Sequence, residues 1–242
     1  VGDVNLYYEK HGAGEPLICL HNYSSNSRVR YGPLLPVLSK YYTCYLVDLR
    51  GHGRSDNPAS PDWSHEQNSR DIIGLCEALG IKRARFIGTS SGGMTMLRVA
   101  RYAKYLVEAM VLDSATYRVP IQARPFYKSP DALSPNLVKY YKQANEVYGP
   151  SYWKVLAQIF YDMRLPECDI NIPLDTLKEI KAPTLVVSGD RDLFYTVDIA
   201  IDMKSTIRNS ELCIVPNTQH IVMEFFPELV ATMAVDFFKR HT

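Results

Sequence analysis

"RFIGTSSGGMTML", running from Arg85 to Leu97, carries an apolar run into two adjacent serines set between glycines and then into a helix-like pattern. Gly88, Ser90 and Gly92 fit the spacing Gly-x-Ser-x-Gly at the end of an expected strand and the start of an expected helix. Ser91 cannot be the central residue, because that register needs a glycine at 89, where the chain has Thr89. The spacing has a steric reason: a turn from strand to helix within one residue strains the serine backbone and leaves room beside it for only the smallest residues. Such a turn stands the Ser90 hydroxyl proud of the sheet, at the positive end of the next helix, where backbone N–H groups favour a developing negative charge.

A serine hydroxyl is a poor nucleophile at neutral pH; it needs a base, and the base needs an orienting carboxylate. Downstream, "LVVSGDRD" ends a strand run at Gly189 with Asp192 just beyond it, and "VPNTQHIVMEFFPELV" places His220 after another. Ser90, Asp192 and His220, each past the C-terminal end of an expected strand, follow the chain order of one fold. Asp113, which ends "EAMVLD", and Asp190 stand as alternative acids, with Gly-x-x-Asp favouring Asp192.

Outward from this centre, short apolar runs alternate with longer periodic segments and no internal repeat is found. "VNLYYEKHGAGEPLICLH" reads as two strands joined by a Gly12–Gly14 turn, and strands are expected at 41–49, 84–88, 106–113, 183–190 and 210–216. A helix begins at Ser64, with Gln67 closing a capping box and Ile72, Ile73, Leu75, Cys76 and Leu79 as its buried stripe. This alternation predicts an α/β fold, a mostly parallel central sheet with helices on both faces. The segment 116–182 breaks the rhythm: it holds seven prolines and two helical stretches, "PNLVKYYKQANEVYG" and "SYWKVLAQIFYDM". It reads as a helical cap inserted between two parts of a core, residues 1–115 and 183–242.

Together these residues resemble the α/β-hydrolase superfamily over essentially the whole chain. "VDLRGHGRSDNP" at 47–58 resembles the family's Asp-x-Arg-Gly-x-Gly-x-Ser loop, and "LICLHNY" resembles the strand leading into its oxyanion loop. The resemblance implies Ser90 as nucleophile, His220 as general base and acid, Asp192 as the group holding the imidazole, and the backbone N–H groups of Ser91 and Tyr23 as oxyanion donors. It departs from the family at His21-Asn22, where His-Gly is usual; Asn22 is the side chain that best tolerates the positive φ this place commonly needs. His220 follows Gln219 rather than a glycine, while Glu224 and Pro227 agree with the pattern. Asp48 and Arg50 read as structural members of their loop, His21 and His52 as loop props, and His11, His65 and His241 as solvated.

Composition limits the partners. The 242 residues carry a formal net charge of +1 with no basic stripe, which argues against nucleic acid and membrane surfaces. The five cysteines, Cys19, Cys44, Cys76, Cys168 and Cys213, read as buried free thiols, and no targeting or membrane-spanning segment is seen, so the cytoplasm is the expected location. No metal cluster or dinucleotide fingerprint is present, and no cofactor is expected. The cap is rich in aromatic residues, among them Tyr117, Phe126, Tyr127, Tyr140, Tyr141, Trp153 and Phe160.

The expected activity is a serine hydrolase acting on a small or medium carboxylic ester or lactone through an acyl-enzyme, with the oligomeric state open. Serine rather than aspartate at 90 argues against the dehalogenase and epoxide hydrolase branches. Alternatives on the same fold are an enol lactonase, a carbon-carbon bond hydrolase or a proline-type aminopeptidase. The last would need cap acids such as Glu146, Asp162, Glu167 or Asp169 to hold an ammonium. From another class, a ligand-binding receptor on a hydrolase shell is the rival.

Overall fold

Each apolar run named above forms a strand. The strands are β1 (Tyr8–His11), β2 (Glu15–Leu20), β3 (Tyr42–Val47), β4 (Ala84–Thr89), β5 (Val107–Asp113), β6 (Thr184–Gly189) and β7 (Ser210–Val215). The computed structural model describes residues 1–57, 63–165, 167 and 170–241. The strands make one sheet in the order β1-β3-β2-β4-β5-β6-β7, parallel except for β1, which runs antiparallel to β3. The order reverses direction between β2 and β4, and in open α/β sheets the crevice outside such a switch point is where ligands bind.

The helices are α1 (Ser27–Tyr31), α2 (Leu35–Leu38), α3 (His65–Ala78), α4 (Ser91–Tyr102), α5 (Pro135–Ala144), α6 (Trp153–Asp162), α7 (Val197–Thr206), α8 (Val222–Phe225) and α9 (Pro227–Arg240). Side chains alternate across each central strand, so one run of sequence feeds two cores. Ile18, Leu20, Phe86, Met110 and Leu112 face α3, α4 and α7, whereas Leu17, Cys19, Ile87, Ala109 and Val111 face α1, α2 and α9. That double burial explains why the strands read as continuous apolar runs.

Ser64 caps α3 by accepting the Gln67 N–H at 3.1 Å, but the expected capping box is not closed by Gln67, whose side-chain amide donates to Asp71 at 3.0 Å. Asp71 draws it because that carboxylate anchors Arg50 through two bonds of 2.5 and 2.8 Å, with both side chains buried. Asp48 accepts from the Ser27 N–H at 2.8 Å and the Arg54 N–H at 3.0 Å. The 48–55 loop is therefore held by charge-assisted bonds at both acids.

Between β5 and β6 the chain makes a helical excursion containing α5 and α6, with no strand among its described residues. Asn145 ties it to the core, donating to the Ser24 carbonyl at 2.9 Å and accepting from the Gly53 N–H at 2.8 Å, and the Tyr152 hydroxyl donates to the Gly51 carbonyl at 2.8 Å. A third apolar cluster, which includes Tyr23, Trp63, Tyr127, Leu156 and Phe160, fills the space between. Cys19, Cys44 and Cys76 are buried free thiols and Cys213 is half-buried; Cys168 lies outside the described residues. Among the described residues no helix is long and apolar enough to cross a membrane, and no three His, Cys, Asp or Glu side chains group as a metal site.

Candidate active site

β4 ends at Thr89 and α4 begins at Ser91, which leaves Ser90 alone to make the turn, at φ 49° and ψ −117°. A non-glycine residue held there costs on the order of 1–3 kcal/mol, and its surroundings must impose it. They do so through the Ser90 N–H, which donates to the Asp113 carbonyl at 2.9 Å, and the Ser90 carbonyl, which accepts from Met94 at 3.0 Å. The flanking glycines are steric necessities. A Cβ on Gly92 would run into the Leu20 carbonyl and lie 2.8 Å from the His21 oxygen, and one on Gly88 would lie 2.8 Å from the Gly92 carbonyl carbon.

The loops after β6 and β7 bring the partners. His220 Nε2 lies 3.1 Å from Ser90 Oγ, and His220 Nδ1 lies 2.7 Å from Asp192 Oδ2. The other Asp192 oxygen accepts from the Phe194 and Tyr195 N–H groups at 2.8 and 3.0 Å, and its carboxylate is fully buried. The imidazole is flanked by the rings of Phe194 and Tyr195, with centroids 5.0 and 5.1 Å away. With Nδ1 facing a carboxylate that only accepts, the Nδ1 position carries the proton and Nε2 is left as the acceptor toward Ser90.

Asp113, the alternative acid, bonds elsewhere. It accepts from the Thr89 hydroxyl at 3.0 Å and from the Val222 and Met223 N–H groups at 3.1 and 3.3 Å, while the Ser114 hydroxyl accepts from the Ile221 N–H at 3.0 Å. Burial pushes its carboxyl above the usual range, and these donors pull it back. Asp190 accepts from the Thr218 N–H at 3.2 Å. Both acids thus brace the main chain on either side of His220, a role with no local signature in the sequence; the left-handed φ of 72° at Ile221 marks the bend they hold.

Three expectations change. Asn22 does not adopt a positive φ; the left-handed residue of that loop is Ser24, at φ 63°. The Asn22 side chain is spent instead on the loop, accepting from Arg30 Nε at 2.8 Å and donating to the Tyr23 carbonyl at 3.1 Å. His65 is buried rather than solvated, with Nε2 2.9 Å from Ser91 Oγ, because α3 packs along α4 and their first turns meet. His11 and His241 are half-buried and pair with Glu9 and Glu211 at 2.8 and 3.2 Å.

His21 and His52 do prop loops. His21 Nδ1 lies 2.7 Å from the Asn22 carbonyl and Nε2 accepts the Leu49 N–H at 3.0 Å, while His52 Nδ1 lies 3.0 Å from the Arg50 carbonyl. Burial pushes His21 down to about 4 and, with the neighbouring His21 adding to it, His52 down to about 3, so both rings are neutral.

A cavity of about 250 Å³ opens onto Ser90 and His220. Its walls are aromatic and apolar, with Phe126, Tyr140, Tyr141 and Phe160 from the helical excursion facing Tyr23 and Phe194 from the core side. The Tyr23 ring stacks on Phe160 and its hydroxyl donates to the Leu156 carbonyl at 3.1 Å. Among the described residues no carboxylate lines the cavity: Glu146, Asp162 and Glu167 lie elsewhere, and Asp169 is outside the described residues. A second hollow of about 210 Å³, between Glu9, Arg28, Arg54 and Glu146, contains none of Ser90, Asp192 and His220.

Comparison with known proteins agrees with this architecture. A family model described as alpha/beta hydrolase fold matches residues 15–165. The protein named Serine hydrolase BPHL of Homo sapiens is 26% identical over 247 residues, spanning 98% of this chain and 84% of that protein. Pimeloyl-(acyl-carrier protein) methyl ester esterase of Nitrosospira multiformis is 26% identical over 261 residues, spanning 94% and 96% of the two chains. Among solved structures, a meta-cleavage product hydrolase from Pseudomonas fluorescens superposes with a TM-score of 0.81 at 19% identity, over 99% of this chain and 96% of that one.

Proposed function

The chain belongs to the α/β-hydrolase fold family, and from that premise we propose that it is a serine hydrolase cleaving a small or medium carboxylic ester or lactone through an acyl-enzyme. The observation that carries this reading is the hydrogen-bonded series Ser90, His220, Asp192, at 3.1 and 2.7 Å, beneath an aromatic cavity.

His220 Nε2 takes the Ser90 proton as Oγ attacks the substrate carbonyl carbon, and Asp192 stabilises the imidazolium that forms. The backbone N–H groups of Ser91 and Tyr23 are the proposed donors to the tetrahedral oxyanion; each such donor is worth about 3 kcal/mol in acyl transfer. Ser91 supports the assignment by standing at the N-terminus of α4, where N–H groups have no intrahelical acceptor. As the intermediate collapses, His220 returns its proton to the leaving alkoxide. A water then loses a proton to His220, attacks the acyl carbonyl and frees the acid, and the proton returns to Ser90.

The cavity, about 250 Å³, is worth about eight water volumes of roughly 30 Å³ each, which favours a short acyl chain. The absence of a carboxylate from its described walls gives an aminopeptidase's ammonium no partner there. The free thiols Cys19, Cys44 and Cys76 suit a reducing compartment such as the cytoplasm.

The test is steady-state hydrolysis of a p-nitrophenyl ester series of increasing acyl length by the parent and by Ser90→Ala. Multiple turnovers by the parent, falling about 10⁵- to 10⁶-fold in kcat in the variant, are expected. Equal activity of the two would reject Ser90 as nucleophile. Binding of esters without turnover would favour a receptor on the same scaffold.

A further inference from the structure

The polar groups of the cavity are nearly all committed to the protein itself. Beyond Ser90 and His220, the polar side chains that line it among the described residues are four phenols, Asn22 and Lys128. The Tyr23 hydroxyl donates to the Leu156 carbonyl at 3.1 Å, the Tyr140 hydroxyl donates to Ser25 Oγ at 2.6 Å, and the Tyr195 and Tyr127 hydroxyls share a bond of 2.7 Å. Tyr141 is buried beside the Ser24 hydroxyl, and Asn22 uses both ends of its amide on Arg30 and Tyr23. These groups shape the cavity and have little left to offer a ligand.

Lys128 differs. It lines the cavity and is exposed, and it makes no hydrogen bond or ion pair with any described residue; Asp131, three residues on, is exposed and does not pair with it. Its root is fixed, because the preceding Tyr127 is buried, stacks on Phe160 with ring centroids 4.7 Å apart and is bonded to Tyr195. No described carboxylate lines the cavity to compensate the ammonium. A lone cation at the edge of an apolar cavity, with the neutral phenols already satisfied, discriminates between ligands by their charge.

We propose that Lys128 is a specificity-determining residue that selects esters carrying a carboxylate remote from the scissile carbonyl. The inference rests on ester hydrolysis at Ser90. The carboxylate reaches the ammonium either from the far end of the acyl chain, as in a hemiester of a short dicarboxylic acid, or from the alcohol. The reaction itself is unchanged, since the carboxylate is bound and takes no part in bond making.

Two matched pairs of esters distinguish the sources: p-nitrophenyl hemiglutarate against p-nitrophenyl valerate for the acyl side, and 4-carboxyphenyl butyrate against 4-methylphenyl butyrate for the alcohol side. The quantity read is the ratio of kcat/KM for the anionic ester to that for its neutral partner, taken within each variant so that a general loss of activity cancels. In one of the two pairs the ratio is expected to fall about fivefold from the parent to Lys128→Met, through KM, which is the upper end for an exposed ion pair. It falls further in Lys128→Glu and returns in Lys128→Arg. Raising ionic strength lowers the parent's ratio and leaves that of Lys128→Met in place. Ratios indifferent to Lys128 in both pairs overturn the inference, while Ser90-dependent turnover of the neutral esters leaves the hydrolase reading standing. Absence of turnover of all four esters in the parent overturns both.

Discussion

Asp192 Oδ2 lies 2.7 Å from His220 Nδ1, whereas Asp113, the other acid at a strand end, accepts from the Thr89 hydroxyl and from the main chain beyond that histidine. The two carboxylates should therefore fail differently when made amides. In Asp192→Asn the oxygen still accepts from Phe194 and Tyr195, so the amide nitrogen is turned toward His220 Nδ1 and forces the proton to the wrong ring nitrogen. A loss of about 10⁴ in kcat is expected. Asp113→Asn leaves that geometry in place and loosens the His220 loop, with an expected loss of about tenfold. Equal losses for the two variants on one p-nitrophenyl ester would contradict the assignment.

Gly92 packs its α-carbon against the end of β2, where a methyl group would meet the carbonyl oxygens of Leu20 and His21. Neither oxygen is the end of a flexible side chain, so α4 and β2 would have to separate. Gly92→Ala is expected to lower unfolding free energy by about 3 kcal/mol, the upper range for overpacking. The urea midpoint of the variant measures it, and a shift corresponding to less than about 1 kcal/mol would mean that the turn at Ser90, the elbow between β4 and α4, yields more easily than its contacts indicate.

The elbow was legible in the sequence because its glycines answer to a local steric demand, and the strands were legible because burial on both faces leaves continuous apolar runs such as Leu17–Leu20. What depends on how separate segments meet was not. Gly-x-x-Asp favours Asp192, but Asp113, the last residue of β5, also stands at a strand end, and only the folded positions of the loops decide which faces the imidazole. His65 stands at a helix start that in isolation would be wet, and the packing of α3 on α4 buries it. The positive φ assigned to Asn22 belongs to Ser24, since a loop can bend at any of several neighbouring residues and the side-chain bonds of Asn22 to Arg30 and Tyr23 hold it otherwise.

Arg50 and Asp71 form a buried two-bond pair that fixes the 48–55 loop to α3. A buried charge left wholly unpaired costs about 3–5 kcal/mol, and removing Asp71 leaves Arg50 with only the exposed Asp3, 3.0 Å away, so a loss at or below the lower end of that range follows. Asp71→Ala is expected to show that loss in chemical denaturation, whereas the double variant Arg50→Met/Asp71→Leu, which buries no charge, should recover at least half of it. A double variant as unstable as the single one would show that the pair contributes through geometry rather than through charge compensation.

His21 and His52 make stability depend on pH in a defined direction. Their ordinary value is about 6.5, and burial holds them down to about 4 and about 3 in the folded protein. Between those values and 6.5 the unfolded chain binds the protons and the folded chain does not, so unfolding free energy rises with pH across the window and falls on acidification. At pH 5 each ring should cost about 2 kcal/mol relative to pH 7, at 1.36 kcal/mol per pH unit below 6.5. Asp113 works in the opposite sense, because burial raises its carboxyl and the folded state takes up that proton first. The discriminating measurement is urea denaturation of the parent, His21→Asn and His52→Asn at pH 7 and pH 5. Each variant starts less stable at pH 7, having lost hydrogen bonds to the loop, and loses about 2 kcal/mol less than the parent on going to pH 5. A decline as steep as the parent's would show that these two histidines are not the groups that take up protons on unfolding.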